Sequence, residues 1–136
     1  MDIKGKKAIV FGGTSGIGLA TCQGLHARGA DVVAISRDPS KASTLIDGIS
    51  LGAVDARDSD AVSAFFDNEG KIDILISSAT GGSRAFGPFL EMDIDGFKGS
   101  FDKLWGYSNI VRYGAAKLSD DGCIVLVSGT PARKMK

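Results

Sequence analysis

Five short runs of apolar residues punctuate this chain, and each is parted from the next by helical spacing or turn chemistry. They are Lys7 to Phe11, Asp31 to Ser36, Ile49 to Val54, Ile72 to Ser77 and Cys123 to Ser128. Continuous apolar strands, unlike alternating ones, belong to a sheet buried on both faces, and helices between them make that sheet parallel. The spacing predicts a helix from Gly16 to Arg28 closed by Gly29. Pro39 suits the first turn of a short helix over Ser40 to Ile46. Asp58 caps a third helix that carries Ala61, Val62, Phe65 and Phe66 on one face. A loop fills Ser78 to Ser83, and a long, mostly helical segment runs from Phe97 to Leu118 until Asp120-Asp121-Gly122 ends it. No repeat, heptad or linker interrupts the pattern. Residues 1–136 are therefore expected to form one doubly wound α/β domain, a parallel sheet between two layers of helices.

Composition narrows the function classes. Glycine is abundant, 19 of 136 residues, but only three prolines occur and the glycines have no three-residue period, which excludes collagen and low-complexity disorder. Sixteen basic against sixteen acidic side chains leave no net charge to attract nucleic acid or an anionic membrane. Only Pro131 to Lys136 is locally basic, as solvated tails often are. The N-terminal apolar run, Ala8 to Phe11, is too short for a signal peptide, and no run approaches a membrane span. Cys22 and Cys123 lie far apart in apolar surroundings, with neither CxxC spacing nor a histidine cluster, so no metal site is expected. Reduced structural cysteines place the chain in the cytoplasm.

The first strand runs into Gly12-Gly13-Thr14-Ser15-Gly16-Ile17-Gly18. In doubly wound sheets ligands bind at the carboxyl ends of strands, and such a turn lets backbone approach a pyrophosphate over a helix N-terminus. Gly12-x-x-x-Gly16-x-Gly18 differs from the usual dinucleotide spacing, and Leu19 stands where a triphosphate loop needs lysine. Phe11 to Gly18 resembles instead the Thr-Gly-x-x-x-Gly-x-Gly of the short-chain dehydrogenase/reductase superfamily, with phenylalanine for the threonine. Val54-Asp55-Ala56-Arg57-Asp58 is similar to that family's Asp-Val-Thr-Asp, whose first aspartate contacts the adenine. Ile72 to Thr80 resembles its Asp-Ile-Leu-Val-Asn-Asn-Ala-Gly, with Ser77 and Ser78 for the asparagines and Thr80 for the glycine. Gly122 to Gly129 resembles the strand leading to the catalytic serine. The resemblance spans the whole chain and implies a Rossmann-like fold and hydride transfer between a nicotinamide cofactor and a small carbonyl or alcohol substrate.

Candidate cofactor residues follow: Gly12, Thr14, Ser15, Gly16, Ile17 and Gly18 at the turn, Asp55 and Ala56 after the third strand, and Ser78, Ala79 and Thr80 after the fourth. The second strand ends in Ser36-Arg37, where an NAD site usually carries a carboxylate. Serine removes the repulsion and Arg37 can grip a 2′-phosphate, so NADP(H) is favoured over NAD(H); the other reading of Arg37 is a solvated side chain paired with Asp38.

The family resemblance also implies a tyrosine acid with a lysine one helical turn later. Tyr113-x-x-x-Lys117 has that spacing but precedes the fifth strand, so it reads as a packing tyrosine and a solvated lysine. The expected pair would follow Ser128 by roughly a dozen residues, beyond Lys136. Ser128, with Thr130 a lesser candidate, matches the family's serine, and Lys103 occupies its asparagine position, either holding a water or merely solvated. An uncovered fifth strand and bare sheet faces imply a longer chain or association with another, and a homo-oligomer is expected of the complete form. The competing reading, motivated by the departures at Phe11, Ser77, Ser78 and Lys103, is a non-catalytic dinucleotide-binding or regulatory module.

Overall fold

A computed structural model describes residues 2–42, 47–80 and 85–129. The five strands are β1 (Lys7–Phe11), β2 (Asp31–Ser36), β3 (Ile49–Ala53), β4 (Ile72–Ser77) and β5 (Leu118–Leu126). They form one parallel sheet in the order β3-β2-β1-β4-β5. The helices are α1 (Gly16–Ala27), α2 (Ser59–Asp67), α3 (Ile94–Gly99) and α4 (Asp102–Gly114). Strand order reverses between β1 and β4, so their carboxyl ends flank the crevice where such sheets take ligands.

Side-chain alternation along each strand divides the core. Ile9 and Phe11 point to one face, where they pack with Ile35, Val62, Phe66, Leu75 and Ile110 under α2 and α4. Ala8 and Val10 point to the other, packing with Cys22, Val32, Ala34, Ile74 and Ile76 under α1. Burial of every β1 side chain from Ala8 to Phe11 explains why that run is apolar without alternation.

Several expected boundaries shift, each for a local reason. After Pro39 the chain makes only a single 3-10 turn, Pro39–Lys41, with the Asp38 carboxylate accepting from the Ser40 N–H; residues 43–46 of the expected helix lie outside the described residues. Residues 81–84 of the expected loop, Thr130 and the basic tail also lie outside them. The long segment from Phe97 to Leu118 is two helices. It begins earlier, at Ile94, where the Asp93 carboxylate accepts from the Gly96 N–H, and it breaks at Ser100 and Phe101 after Gly99. The largest change is in β5. It begins at Leu118 opposite Ile72, and Asp120-Asp121-Gly122 sits inside it as a register irregularity between Leu118 and Cys123. The strand also ends at Leu126, so Ser128 lies past it. Cys123 is exposed rather than set in apolar surroundings, whereas Cys22 is buried and burial pushes its thiol up to about 11.

A polar cluster fastens the early part of β5. The Asp73 carboxylate accepts from Ser119 Oγ at 2.7 Å, from the Lys7 N–H at 2.9 Å and from Lys6 Nζ at 3.2 Å. Those bonds, Ser119's first, hold the Asp73 carboxyl below its ordinary range. A carboxyl depressed in the folded state stabilises above its unfolded pKa, and that contribution fades as pH falls through the folded value. Asp73→Asn is therefore expected to melt below wild type at neutral pH, with the gap narrowing toward about pH 3. Thermal melts at stepped pH check this; a gap independent of pH would contradict it.

Candidate functional site

At the carboxyl ends of β1, β2, β3 and β4 lies a cleft of about 530 Å³. Its wall nearest β1 is the glycine turn. Gly12 has φ of +79°, and a Cβ there would stand 2.7 Å from the Ala79 nitrogen, so the turn is held against the loop after β4 as only glycine allows. Gly12, Thr14, Ser15, Ala79 and Thr80 line the cleft. Gly16, Ile17, Gly18 and Ser78 do not. Gly16 opens α1, Ile17 is exposed, and Gly18 is buried behind the turn. Ser78 Oγ donates to the Phe11 and Gly12 carbonyls at 3.3 and 3.4 Å, a strut beneath the turn.

The end of β2 supplies the second wall, with Ser36, Arg37, Asp38 and Lys41. Ser36 Oγ is buried and, among the described residues, has no hydrogen-bond partner. A buried hydroxyl without a partner costs about 1–3 kcal/mol, so this is an incomplete polar site awaiting a donor or acceptor. Asp38 is engaged by Ser40 and by Lys41, at 3.4 Å from Lys41 Nζ, and not by Arg37. The exposed Arg37 makes no hydrogen bond or ion pair among the described residues. An orphaned hydroxyl beside a free guanidinium fits an anionic oxygen.

Asp55 and Ala56 form the third wall, and Arg57 and Tyr107 are among the lining residues that the sequence reading did not assign to the site. Arg57 donates to Asp55 and to Asp102 on α4, and its hydrogen bond holds the Asp55 carboxyl below the usual range while Arg37 adds a weaker pull. Tyr107, also in the lining, donates its hydroxyl to the Val127 carbonyl, fixing the backbone one residue before Ser128. Arg57 was visible as a basic residue between two aspartates; nothing local marks Tyr107, whose partner is twenty residues away.

The two candidate catalytic residues are not brought together in the cleft. Lys103 lines it and stands over the Tyr107 ring, 5.4 Å from its centre. Ser128 is exposed beyond β5 and does not line it. Tyr113 and Lys117 point elsewhere: Tyr113 Oη shares a 2.9 Å hydrogen bond with Ser59 Oγ, and Lys117 Nζ donates to the Glu69 carbonyl at 3.4 Å. Among the described residues no group of histidine, cysteine, aspartate and glutamate could hold a metal ion, and no helix is long and apolar enough to cross a membrane.

Known proteins are similar to this chain in sequence and fold. The family model described as short chain dehydrogenase matches residues 6–135. L-xylulose reductase of Homo sapiens is 34% identical over 133 residues, covering 93% of this chain and 54% of that protein. Carbonyl reductase (NADPH) 2 of Sus scrofa is 32% identical over 135 residues, covering 94% of this chain and 54% of its own length. A crystal structure of a short chain dehydrogenase from Burkholderia cenocepacia J2315, in complex with NADP, superposes with a TM-score of 0.86 at 26% identity over 99% of this chain and 58% of that one. The chain thus spans about half the length of the relatives it matches. With the family model matching nearly the whole chain and a relative 34% identical over 93% of it, the chain belongs to the short-chain dehydrogenases, a family of oxidoreductases.

Proposed function

We propose that this chain supplies the NADP(H)-binding half of a short-chain oxidoreductase that moves hydride between the nicotinamide and a small carbonyl or alcohol. The observation that carries the reading is the polar site at the end of β2: the buried Ser36 hydroxyl beside Arg37, neither with a hydrogen-bond partner among the described residues. Serine in place of a carboxylate removes repulsion, and the guanidinium fork suits a 2′-phosphate. Backbone amides of Thr14, Ser15, Gly16 and Ile17 at the start of α1 would face the pyrophosphate, with Gly12 and Gly18 setting the close approach. Asp55 and Ala56 would meet the adenine, and Ser78, Ala79 and Thr80 would line the path between the phosphates and the nicotinamide. When bound, the cofactor supplies hydride; the protein's task is to orient it and to manage a proton. Ser128 and Lys103 are the residues of this chain proposed to orient the substrate oxygen and a water. The NADP complex of the Burkholderia relative and the NADPH named for the porcine one support the cofactor. The complete enzyme is read as a cytoplasmic homo-oligomer, supported by two free cysteines and by the apolar Leu104 and Trp105 that α4 leaves exposed.

Titration with both cofactors tests this. NADPH is expected to bind more tightly than NADH, and Arg37→Gln to weaken NADPH by about tenfold, the worth of one exposed charge-assisted hydrogen bond, while leaving NADH nearly unchanged. Equal binding of the two cofactors by the wild type would refute the assignment. A non-catalytic module is the second reading, favoured by the absence of Ser128 from the cleft lining and by hydrogen bonds on both tyrosine hydroxyls. NADPH consumption over a panel of carbonyls separates the two.

A further inference from the structure

We propose that Lys103 seats a carboxylate, so that this cleft takes a carbonyl or alcohol substrate bearing an acid group. The proposal rests on the oxidoreductase reading above, names its substrate class and gives a charge to the oxygen that Lys103 meets. Lys103 lines the cleft, half-buried, on the same face of α4 as Tyr107 one turn later. Its ammonium lies 5.4 Å from the centre of the Tyr107 ring and makes no hydrogen bond or ion pair among the described residues. The ring is a fixed platform, because its hydroxyl donates to the Val127 carbonyl. A cation over an aromatic face is held without spending its N–H donors, which stay open to a ligand.

The charges around the cleft decide what kind of group fits there. Its charged lining is Arg37, Lys41, Arg57 and Lys103 against Asp38, Asp55 and Asp102. Each carboxylate is already met inside the protein, Asp38 by Lys41 at 3.4 Å, Asp55 and Asp102 by Arg57 at 2.8 and 3.1 Å. Lys103 is left without one, and its position adds to the cost. It is the second residue of α4, where the positive end of the helix dipole disfavours an ammonium by about 0.3–1 kcal/mol. An anionic group on a ligand relieves that repulsion. The phosphates of the cofactor have other seats in the reading above, the glycine turn after β1 and Ser36-Arg37 at the end of β2, whereas Lys103 stands on α4. With Arg57 and Lys41 committed to carboxylates, a single cation faces the ligand here, and one positive charge matches a carboxylate better than a phosphate dianion.

Calorimetry on the full chain saturated with NADP⁺ follows binding without turnover. Pyruvate and pyruvamide are the probes, since they share a skeleton and a ketone and differ in whether the neighbouring group is charged. The wild type is expected to bind pyruvate about tenfold more tightly, as one charge-assisted hydrogen bond in a half-exposed site allows. That preference should shrink as salt is raised. Lys103→Met is expected to bring the ratio to about one and Lys103→Arg, which keeps the charge, to retain most of it. The ratio is insensitive to a general loss of folded protein, and Lys103→Gln carries the comparison if the methionine variant unfolds. Equal binding of the two probes by the wild type, or a preference that survives in the methionine and glutamine variants, overturns the proposal and leaves the cofactor assignment standing. So does tighter binding of inorganic phosphate than of pyruvate, which would make the seat a phosphate site. A loss of NADP⁺ affinity in Lys103→Met as large as the loss for pyruvate would give the ammonium to the cofactor, and the proposal would fall. Failure of the wild type to bind NADP⁺ overturns the cofactor assignment and this proposal together.

Discussion

Replacing Phe66 with alanine is expected to lower the free energy of unfolding by about 3–5 kcal/mol, a large share of the roughly 5–15 kcal/mol that a domain commonly holds. Phe66 is 1% exposed and sits at the meeting point of three elements. Its ring centre is 5.2 Å from that of Phe65 and 5.9 Å from that of Phe11 at the end of β1. On its other side α4 comes so close at Gly114 that a Cβ there would lie 2.8 Å from Phe66 Cζ. The chain cannot collapse into the space an alanine would leave without moving α4 or β1, both tied elsewhere by the sheet and by the Asn109 and Tyr113 hydrogen bonds. Most of the cavity should persist, which places the cost high in the range. Phe11 also lines the cleft, so the loss reaches the site through its floor. Urea unfolding followed by circular dichroism checks the magnitude, with Phe66→Leu expected to recover most of the loss; a change below about 1 kcal/mol for alanine would show that the site collapses freely.

The parts of this fold that could be read from sequence are those whose signals are local. β1, β2 and β4 are continuous apolar runs closed by turn residues, and their bounds are those expected. The Asp58 cap is likewise a local motif, and its carboxylate accepts from the Asp60 and Ala61 N–H groups as such caps do. Legibility fails where a distant partner decides. Asp120-Asp121-Gly122 has the chemistry of a turn, yet it lies within β5, where Ser119 bonds Asp73 on β4 and Asp121 pairs with Lys6 just before β1, and pairing with β4 reaches back to Leu118. The site divides in the same way. The glycine turn and Ser36-Arg37 follow from their position at the end of a strand, and Gly12, Thr14, Ser15, Ser36 and Arg37 of them line the cleft. Arg57 and Tyr107 acquire their places only when α4 crosses the sheet, bringing Asp102 to Arg57 and Tyr107 to Val127. The placement of Ser128 past the end of β5 likewise depends on where pairing with β4 stops.

Gly18→Ala is expected to abolish measurable NADPH binding at concentrations that saturate the wild type, and to destabilise the fold by about 1–3 kcal/mol. Gly18 is buried in the first turn of α1. A Cβ on it would fall inside the van der Waals envelope of the Gly12 carbonyl oxygen and 2.5 Å from Ser78 Oγ. The serine hydroxyl can rotate; the carbonyl cannot, because Gly12 is itself clamped between the Ile35 carbonyl, which accepts its N–H at 2.8 Å, and the Ala79 backbone. Helix α1 must therefore move out, carrying with it the amides proposed to face the pyrophosphate. An anion site made of backbone donors tolerates little displacement, since hydrogen bonds weaken steeply as angle and distance are lost. Gly24→Ala in the same helix supplies the contrast. Gly24 is exposed with open space where the methyl would go, so the identical substitution should stabilise by up to about 1 kcal/mol through helix propensity and leave NADPH binding alone. The two variants should thus shift the urea midpoint in opposite directions. If Gly18→Ala bound NADPH like the wild type, close approach of α1 to Gly12 would not be what makes this turn a dinucleotide site.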